Sequence, residues 1–129
     1  MNVFTKPARA LALVAPCLIA AAALAPKPAL AIAAPDARAV CRAAGGIIAA
    51  RSENAAACNI LGLGSYEVIV GNNVNACTFV ATLGLPGGGA PVAGQIGVSQ
   101  GSASNRVRVQ TRDAAGAAAN RAFHLVVAC

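Results

Sequence analysis

The sequence has few of the side chains on which catalysis and nucleic-acid recognition depend. It contains no tryptophan, one tyrosine, one histidine and four acidic residues. So few aromatic rings provide no platform on which bases stack, which argues against a nucleic-acid partner. The four acidic residues are Asp36, Glu53, Glu67 and Asp113. A catalytic pair of carboxylates would require two of them to come together in the folded protein. The glycines at 87–89 lack the Lys-Ser/Thr that follows in a phosphate-binding P-loop.

The first third of the chain has the organisation of a secretory signal peptide. Lys6 and Arg9 precede an uncharged, mostly apolar run over residues 10–25. The small-x-small triplet at 29–31 supplies a cleavage site, and a second triplet two residues later is the nearby alternative. A permanent signal anchor is disfavoured because a bilayer span takes about 20 apolar residues, and this run is shorter and contains a proline. We expect a helical signal peptide over 1–31 and no membrane span after its removal.

Cleavage would change the composition that matters for the exported domain. It leaves residues 32–129, which are 98 of the 129 and enough for one domain. Three of the ten basic residues lie in the leader, so seven arginines remain with four acidic residues, a net charge of +3. The pI of 9.6 for the whole chain therefore overstates the basic character of the domain.

Four cysteines remain after cleavage: Cys41, Cys58, Cys77 and Cys129. An even count in an exported domain indicates two disulfides, with three possible pairings. Structural zinc sites favour closely paired ligands, and these cysteines are widely spaced, so neither a metal nor another cofactor is expected. A small core of Val, Leu, Ile and Ala with few aromatic residues also needs covalent support.

Apolar and polar residues alternate along much of the domain, and a period of two predicts strands. The alternation covers residues 66–70, 77–83, 106–112 and 123–129, and residues 95–99 are a short strand candidate between glycines. Short apolar stretches at 47–48 and 59–63 could add strands, whereas 35–42 could form a short helical arm. The pattern predicts an all-β fold: a small antiparallel β-sandwich or barrel stapled by disulfides.

Glycine and proline mark the predicted connections. Residues 86–91 begin and end with proline and contain three consecutive glycines, which predicts a flexible surface loop. The Asp-Ala-Ala-Gly sequence at 113–116 predicts a tight turn. We therefore expect residues 106–129 to form a hairpin.

A row of arginines is the most distinctive polar feature. Arg106, Arg108 and Arg112 share one face of a predicted strand, and Arg121 is a candidate for the neighbouring strand. Such a surface could bind an anionic component of the cell envelope. The alternative, which we favour, is a solvated sheet face whose charges discourage edge pairing.

His124 is the only candidate for a general base. A catalytic role would require a nucleophile and an orienting carboxylate nearby, and no serine lies in a recognisable nucleophile motif. We therefore predict a structural histidine on a strand and no catalytic residues.

Spaced residues from position 64 onward resemble a type of small secreted bacterial protein of high-GC organisms, most of which are uncharacterised. The matching segments are Gly64-Ser65-Tyr66-Glu67-Val68, Val74-x-x-Cys77, Ala81-Thr82, Asn105-x-Val107-x-Val109-x-Thr111-x-Asp113-x-x-Gly116 and Phe123-His124-Leu125-x-Val127-x-Cys129. The resemblance implies that Cys77 and Cys129 are partners, which leaves Cys41 for Cys58. It implies no activity.

These observations predict a non-enzymatic secreted or cell-surface β module with a binding or structural role. Its partner is unknown, and an anionic envelope component or another protein fits better than nucleic acid. The second hypothesis is a secreted inhibitor or effector that presents the loop at 86–91 to an enzyme. A small hydrolase is the third hypothesis and would require His124.

Overall fold

Seven strands and one short 3₁₀-helix, Ala49–Arg51, form the part of the chain that the computed structural model describes, residues 36–90 and 92–129. The predicted signal peptide over 1–31 lies outside these residues. The strands are β1 (Ala37–Cys41), β2 (Ala55–Gly62), β3 (Ser65–Val70), β4 (Thr78–Leu83), β5 (Gln95–Gln100), β6 (Arg106–Arg112) and β7 (Phe123–Ala128). No helix among them is long and apolar enough to cross a membrane.

The strands form two antiparallel sheets. One sheet has three strands in the order β1-β7-β4, and the other has four in the order β2-β3-β6-β5. Buried side chains of both sheets make one hydrophobic core, which gives the layered arrangement of a β-sandwich. The predicted all-β antiparallel fold is confirmed, and each of the five predicted strands corresponds to an observed strand to within one residue at either end.

Alternation decides which side chains enter the core. β6 buries Val107 and Val109, and β7 buries Phe123, Leu125 and Val127. The intervening residues of both strands face outward. Tyr66 of the four-stranded sheet meets Phe123 of the other sheet edge to face, with ring centroids 5.1 Å apart, so aromatic packing joins the two layers.

Two disulfides support this small core. Cys41–Cys58 joins β1 to β2 and therefore links the two sheets, whereas Cys77–Cys129 joins the ends of the paired strands β4 and β7. This is the pairing that the resemblance implied. In the chain-entropy model, loops of 17 and 52 residues contribute about 3 and about 4 kcal/mol to the free energy of unfolding.

The prediction of a helical arm at 35–42 is wrong, because Ala37–Cys41 is strand β1. Alanine favours a helix locally, but Ala37, Ala39 and Cys41 all enter the core and β1 pairs with β7 along its whole length. The stretch at 59–63 mostly lies in β2, as its apolar character suggested. The stretch at 47–48 forms no strand and makes only one bridge, from Ile47 to Cys41.

The prediction that residues 106–129 form a hairpin is also wrong. β6 lies between β3 and β5 in one sheet, so both of its edges are occupied, and β7 lies in the other sheet. After the turn at 113–116 the chain returns to β6 only briefly, at the bridge between Arg112 and Ala118. Thr111 then donates a hydrogen bond to the Ala119 carbonyl at 2.6 Å, before the chain crosses to the other sheet.

Candidate functional site

The structure divides the row of arginines. Arg106 and Arg108 are half-buried on the outward face of β6, and Arg112 is exposed at the end of that strand. Arg121 lies in the connection before β7 and not on a neighbouring strand. The four residues therefore form no single continuous surface.

Arg106 is neutralised by Glu67 of the adjacent strand β3, with 2.6 Å between guanidinium nitrogen and carboxylate oxygen. The Glu67 carboxylate also accepts a hydrogen bond from the backbone N–H of Ser102 at 3.0 Å. Hydrogen bonds from Ser102, and then from Arg106, lower the pKa of Glu67 from 4.5 to about 2. Sequence reasoning missed this pair because only the register of β3 against β6 brings the two residues together.

The remaining arginines of the row have separate environments. The Arg112 guanidinium donates to the Gly116 carbonyl at 3.0 Å and so caps the turn after β6. The Nε atom of Arg121 is buried and makes no hydrogen bond with the described residues. Arg108 and Arg112 make no salt bridge within the described part of the chain. The expected anionic-partner surface is therefore reduced to two cations on this face.

A second cationic surface lies on the outward face of the three-stranded sheet. It is a groove of about 370 Å³, which we call the arginine groove. Its lining comes from β1, from the 3₁₀-helix and from β7: Arg38, Ala39, Val40, Arg51, His124, Leu125 and Val126.

The two arginines of this groove differ in their partners. Arg38 forms an ion pair with Glu53 at 3.0 Å, with both side chains more than half exposed. Arg51 ends the 3₁₀-helix and donates a hydrogen bond to the Pro86 carbonyl. The described residues give Arg51 no carboxylate partner, so it carries the uncompensated positive charge of the groove.

His124 lies on β7 between Val40 of β1 and Thr82 of β4. Its Nε2 atom is 3.4 Å from the Leu85 carbonyl, and a Cβ atom placed on Gly84 would come within 2.6 Å of its ring. The absence of a side chain at Gly84 thus allows the loop after β4 to pass directly over the imidazole. Among the hydrogen bonds of the described residues, none joins His124 to a hydroxyl or a carboxylate.

The loop predicted at 86–91 begins at this same groove. Contacts of His124 and Arg51 with the Leu85 and Pro86 carbonyls hold its start. Residues 87–90 are exposed, and residue 91 lies outside the described part. Cβ atoms built on Gly87 and Gly88 meet no atom within 4 Å, so little packs against the tip of the loop.

Sequence reasoning missed the groove because its two arginines belong to different kinds of local structure. Arg38 lies in a strand that was expected to be helical, and Arg51 lies in a short 3₁₀-helix. The pairing of β1 with β7 brings Arg38 into the groove that His124 lines, and Arg51 lines the same groove from the 3₁₀-helix.

Metal binding finds no support in the described ranges, where no cluster of three or more His, Cys, Asp or Glu side chains could hold an ion. Comparison with known proteins supplies no further indication of a ligand. No protein-family model, curated protein or solved structure matches the chain.

Proposed function

We propose that this chain is a non-enzymatic β module, secreted or held at the cell surface, that binds an anionic partner in the arginine groove. The observation that carries the proposal is Arg51, which lines the groove without a carboxylate partner among the described residues. Its hydrogen bond to the Pro86 carbonyl restrains the side chain before any ligand arrives. Restraint of this kind lowers the entropic cost of binding.

The predicted leader and the two disulfides support a location outside the cytoplasm. Disulfides persist in oxidising compartments and are rare in the cytosol. Both bonds in this domain connect strands that pack in the core, so we expect the exported protein to depend on them for stability.

The lining of the groove supports binding over catalysis. It contains two guanidinium groups, one imidazole and apolar side chains, and it includes no serine, cysteine or carboxylate. A guanidinium recognises planar anions such as carboxylates through paired hydrogen bonds. The chemistry therefore fits a carboxylated group carried by an envelope polysaccharide or by another protein.

An NMR titration with an oligogalacturonate tests this function, with His124 as the reporter because it is the only histidine of the chain. We expect the imidazole signals to shift with ligand. The Arg51→Gln variant should lose that response, since glutamine is polar but has no charge. Arg108→Gln is the matched control, because it removes the same charge from the opposite sheet.

An unchanged imidazole signal in the native protein would reject the groove as a site for carboxylated oligosaccharides. An equal loss of response in both variants would show that overall charge, and not the groove, attracts the ligand.

Mass spectrometry of the protein recovered from the culture medium tests export. The expected mature N-terminus is Ile32, and the mass should rise by four hydrogens on reduction of the two disulfides. Four free thiols in the recovered protein would contradict the proposed location.

A secreted inhibitor that presents the loop at 86–91 is the second candidate. The anchoring of the Leu85 and Pro86 carbonyls favours it, because a fixed start would orient the loop. Its glycines weigh against it, since nothing packs around positions 87 and 88 and a flexible loop loses more entropy on binding. Inhibition of any protease in a panel at micromolar concentration of the protein would support this function. A panel in which no protease is inhibited would exclude it.

A further inference from the structure

Exposed apolar side chains concentrate at the turn between β2 and β3. Ile60, Leu61 and Leu63 expose 39, 49 and 67% of their surface, and residues 59–65 carry no charge. Two leucines presented at one exposed turn form an apolar projection that water solvates poorly. We call residues 60–63 the leucine tip.

An arginine lies beside the leucine tip on the side of β2. The turn at 42–46 packs along this strand, because the Gly46 N–H donates to the Cys58 carbonyl at 2.7 Å. A Cβ atom on Gly45 would lie 3.2 Å from the Ile60 side chain, which shows how close the turn comes. Arg42 begins this turn, is exposed, and donates a hydrogen bond to the Ile47 carbonyl at 3.1 Å.

A second arginine lies on the side of β6. The Thr111 N–H donates to the Gly64 carbonyl at 2.7 Å, and Gly64 has a φ of +67° in a position where a Cβ atom would collide with the Thr111 carbonyl. This close approach requires glycine. Arg112 follows directly and is exposed, so an arginine belongs to each of the two segments that pack beside the leucine tip.

Arg42 and Arg112 form no salt bridge with any acidic residue of the described part of the chain. Glu53 and Glu67 pair with arginines, and Asp36 accepts a hydrogen bond from the Cys129 N–H at the opposite end of the strands. Asp113 follows Arg112 directly in the chain, and its carboxylate accepts the N–H groups of Ala115 and Ala117.

We propose that the leucine tip inserts into the interface of a bilayer that contains anionic phospholipid, with Arg42 and Arg112 against the headgroup phosphates. Apolar side chains flanked by cations are the combination that holds a protein at an anionic membrane surface. A second copy of the chain is a poorer occupant, because two such ends would bring four arginines together with only two aspartates. This surface is separate from the arginine groove, and its test does not depend on what the groove binds.

Single-tryptophan variants test the proposal, because the chain contains no tryptophan of its own. In Leu63→Trp the indole would report on the tip. Val80→Trp is the matched control: Val80 is 62% exposed, as Leu63 is at 67%, but it lies on β4 of the other sheet. Each indole senses its own surroundings, so the pair separates insertion of the tip from attachment of any other part of the chain.

We expect vesicles of phosphatidylglycerol and phosphatidylcholine to shift the emission of Leu63→Trp to the blue and to leave Val80→Trp unchanged. Adding Arg42→Gln or Arg112→Gln should weaken vesicle binding roughly five-fold for each arginine removed, the equivalent of about 1 kcal/mol per cation. Arg108→Gln, which removes the same charge from the face of β6, should have a smaller effect.

Three results would overturn the proposal. The first is no shift in Leu63→Trp with anionic vesicles. The second is an equal shift with vesicles of phosphatidylcholine alone, which would remove the role of the arginines. The third is a shift that depends on protein concentration without vesicles, which would identify a second copy of the chain as the occupant.

Discussion

The two outward faces of this sandwich each carry one arginine–glutamate pair, and the pairs differ in burial. On the four-stranded sheet the Glu67 side chain is 4% exposed beside Arg106 at 38%, whereas on the three-stranded sheet Arg38 and Glu53 are 56 and 62% exposed. Water screens the exposed pair of Arg38 and Glu53, and it can solvate either side chain when its partner is removed. Water reaches the Glu67 carboxylate poorly, so that carboxylate depends on Arg106. The same two residue types should therefore stabilise one face and contribute little to the other.

The largest difference should follow removal of the arginine from each pair. Arg106→Met leaves the covered Glu67 carboxylate with only its Ser102 hydrogen bond, which should reduce the free energy of unfolding by about 2 kcal/mol. Arg38→Met should cost less than about 0.5 kcal/mol. Urea unfolding at pH 7 measures both values, and equal losses would show that burial does not distinguish the pairs.

Acid should act on the buried pair in a defined direction. The folded pKa of Glu67, about 2, lies below its ordinary value of 4.5, so its contribution to stability is complete above pH 4.5 and is lost as the pH falls through 2. Melting temperatures measured from pH 5 to pH 2 should fall less steeply in Glu67→Gln than in the native protein. Glu53→Gln is the control, and its melting temperature should fall with pH as steeply as that of the native protein. An equally steep fall in Glu67→Gln would contradict a stabilising role for the Glu67 carboxylate.

The smallest expected change in stability concerns the groove on the three-stranded face. Arg51 is exposed and contacts a carbonyl, not a carboxylate, so Arg51→Gln should alter the free energy of unfolding by less than about 0.5 kcal/mol. The imidazole response to oligogalacturonate should nevertheless disappear in this variant. A large loss of stability would instead assign Arg51 a structural role in holding the loop after β4.

A further variant separates the loop from the groove. In Gly84→Ala the new Cβ atom would come within 2.6 Å of the His124 ring, so either the imidazole or the loop must move. We expect shifted imidazole signals in the free protein and a loss of about 1 kcal/mol in the free energy of unfolding. Unchanged imidazole signals would show that the loop does not lie over His124.

The strands were predictable wherever alternation was long enough to identify a buried face. β6 and β7 show this best, since Val107, Val109, Leu125 and Val127 occupy every second position and all are buried. β1 was not predictable, because its alanines favour a helix locally and become strand only when β7 lies beside them. The groove could not be predicted for the same reason, since β1 forms one of its sides.

By itself the sequence determined the alternating β segments, the even set of cysteines in the domain and the near absence of catalytic side chains. These depend on composition and on a period of two along the chain, which are local properties. Only the tertiary structure decided that β6 and β7 belong to different sheets, that Glu67 neutralises Arg106, and that Arg51 and His124 line one groove. Each of these depends on which strands lie side by side and in what register, and residues far apart in the chain acquire that relation only when the core forms.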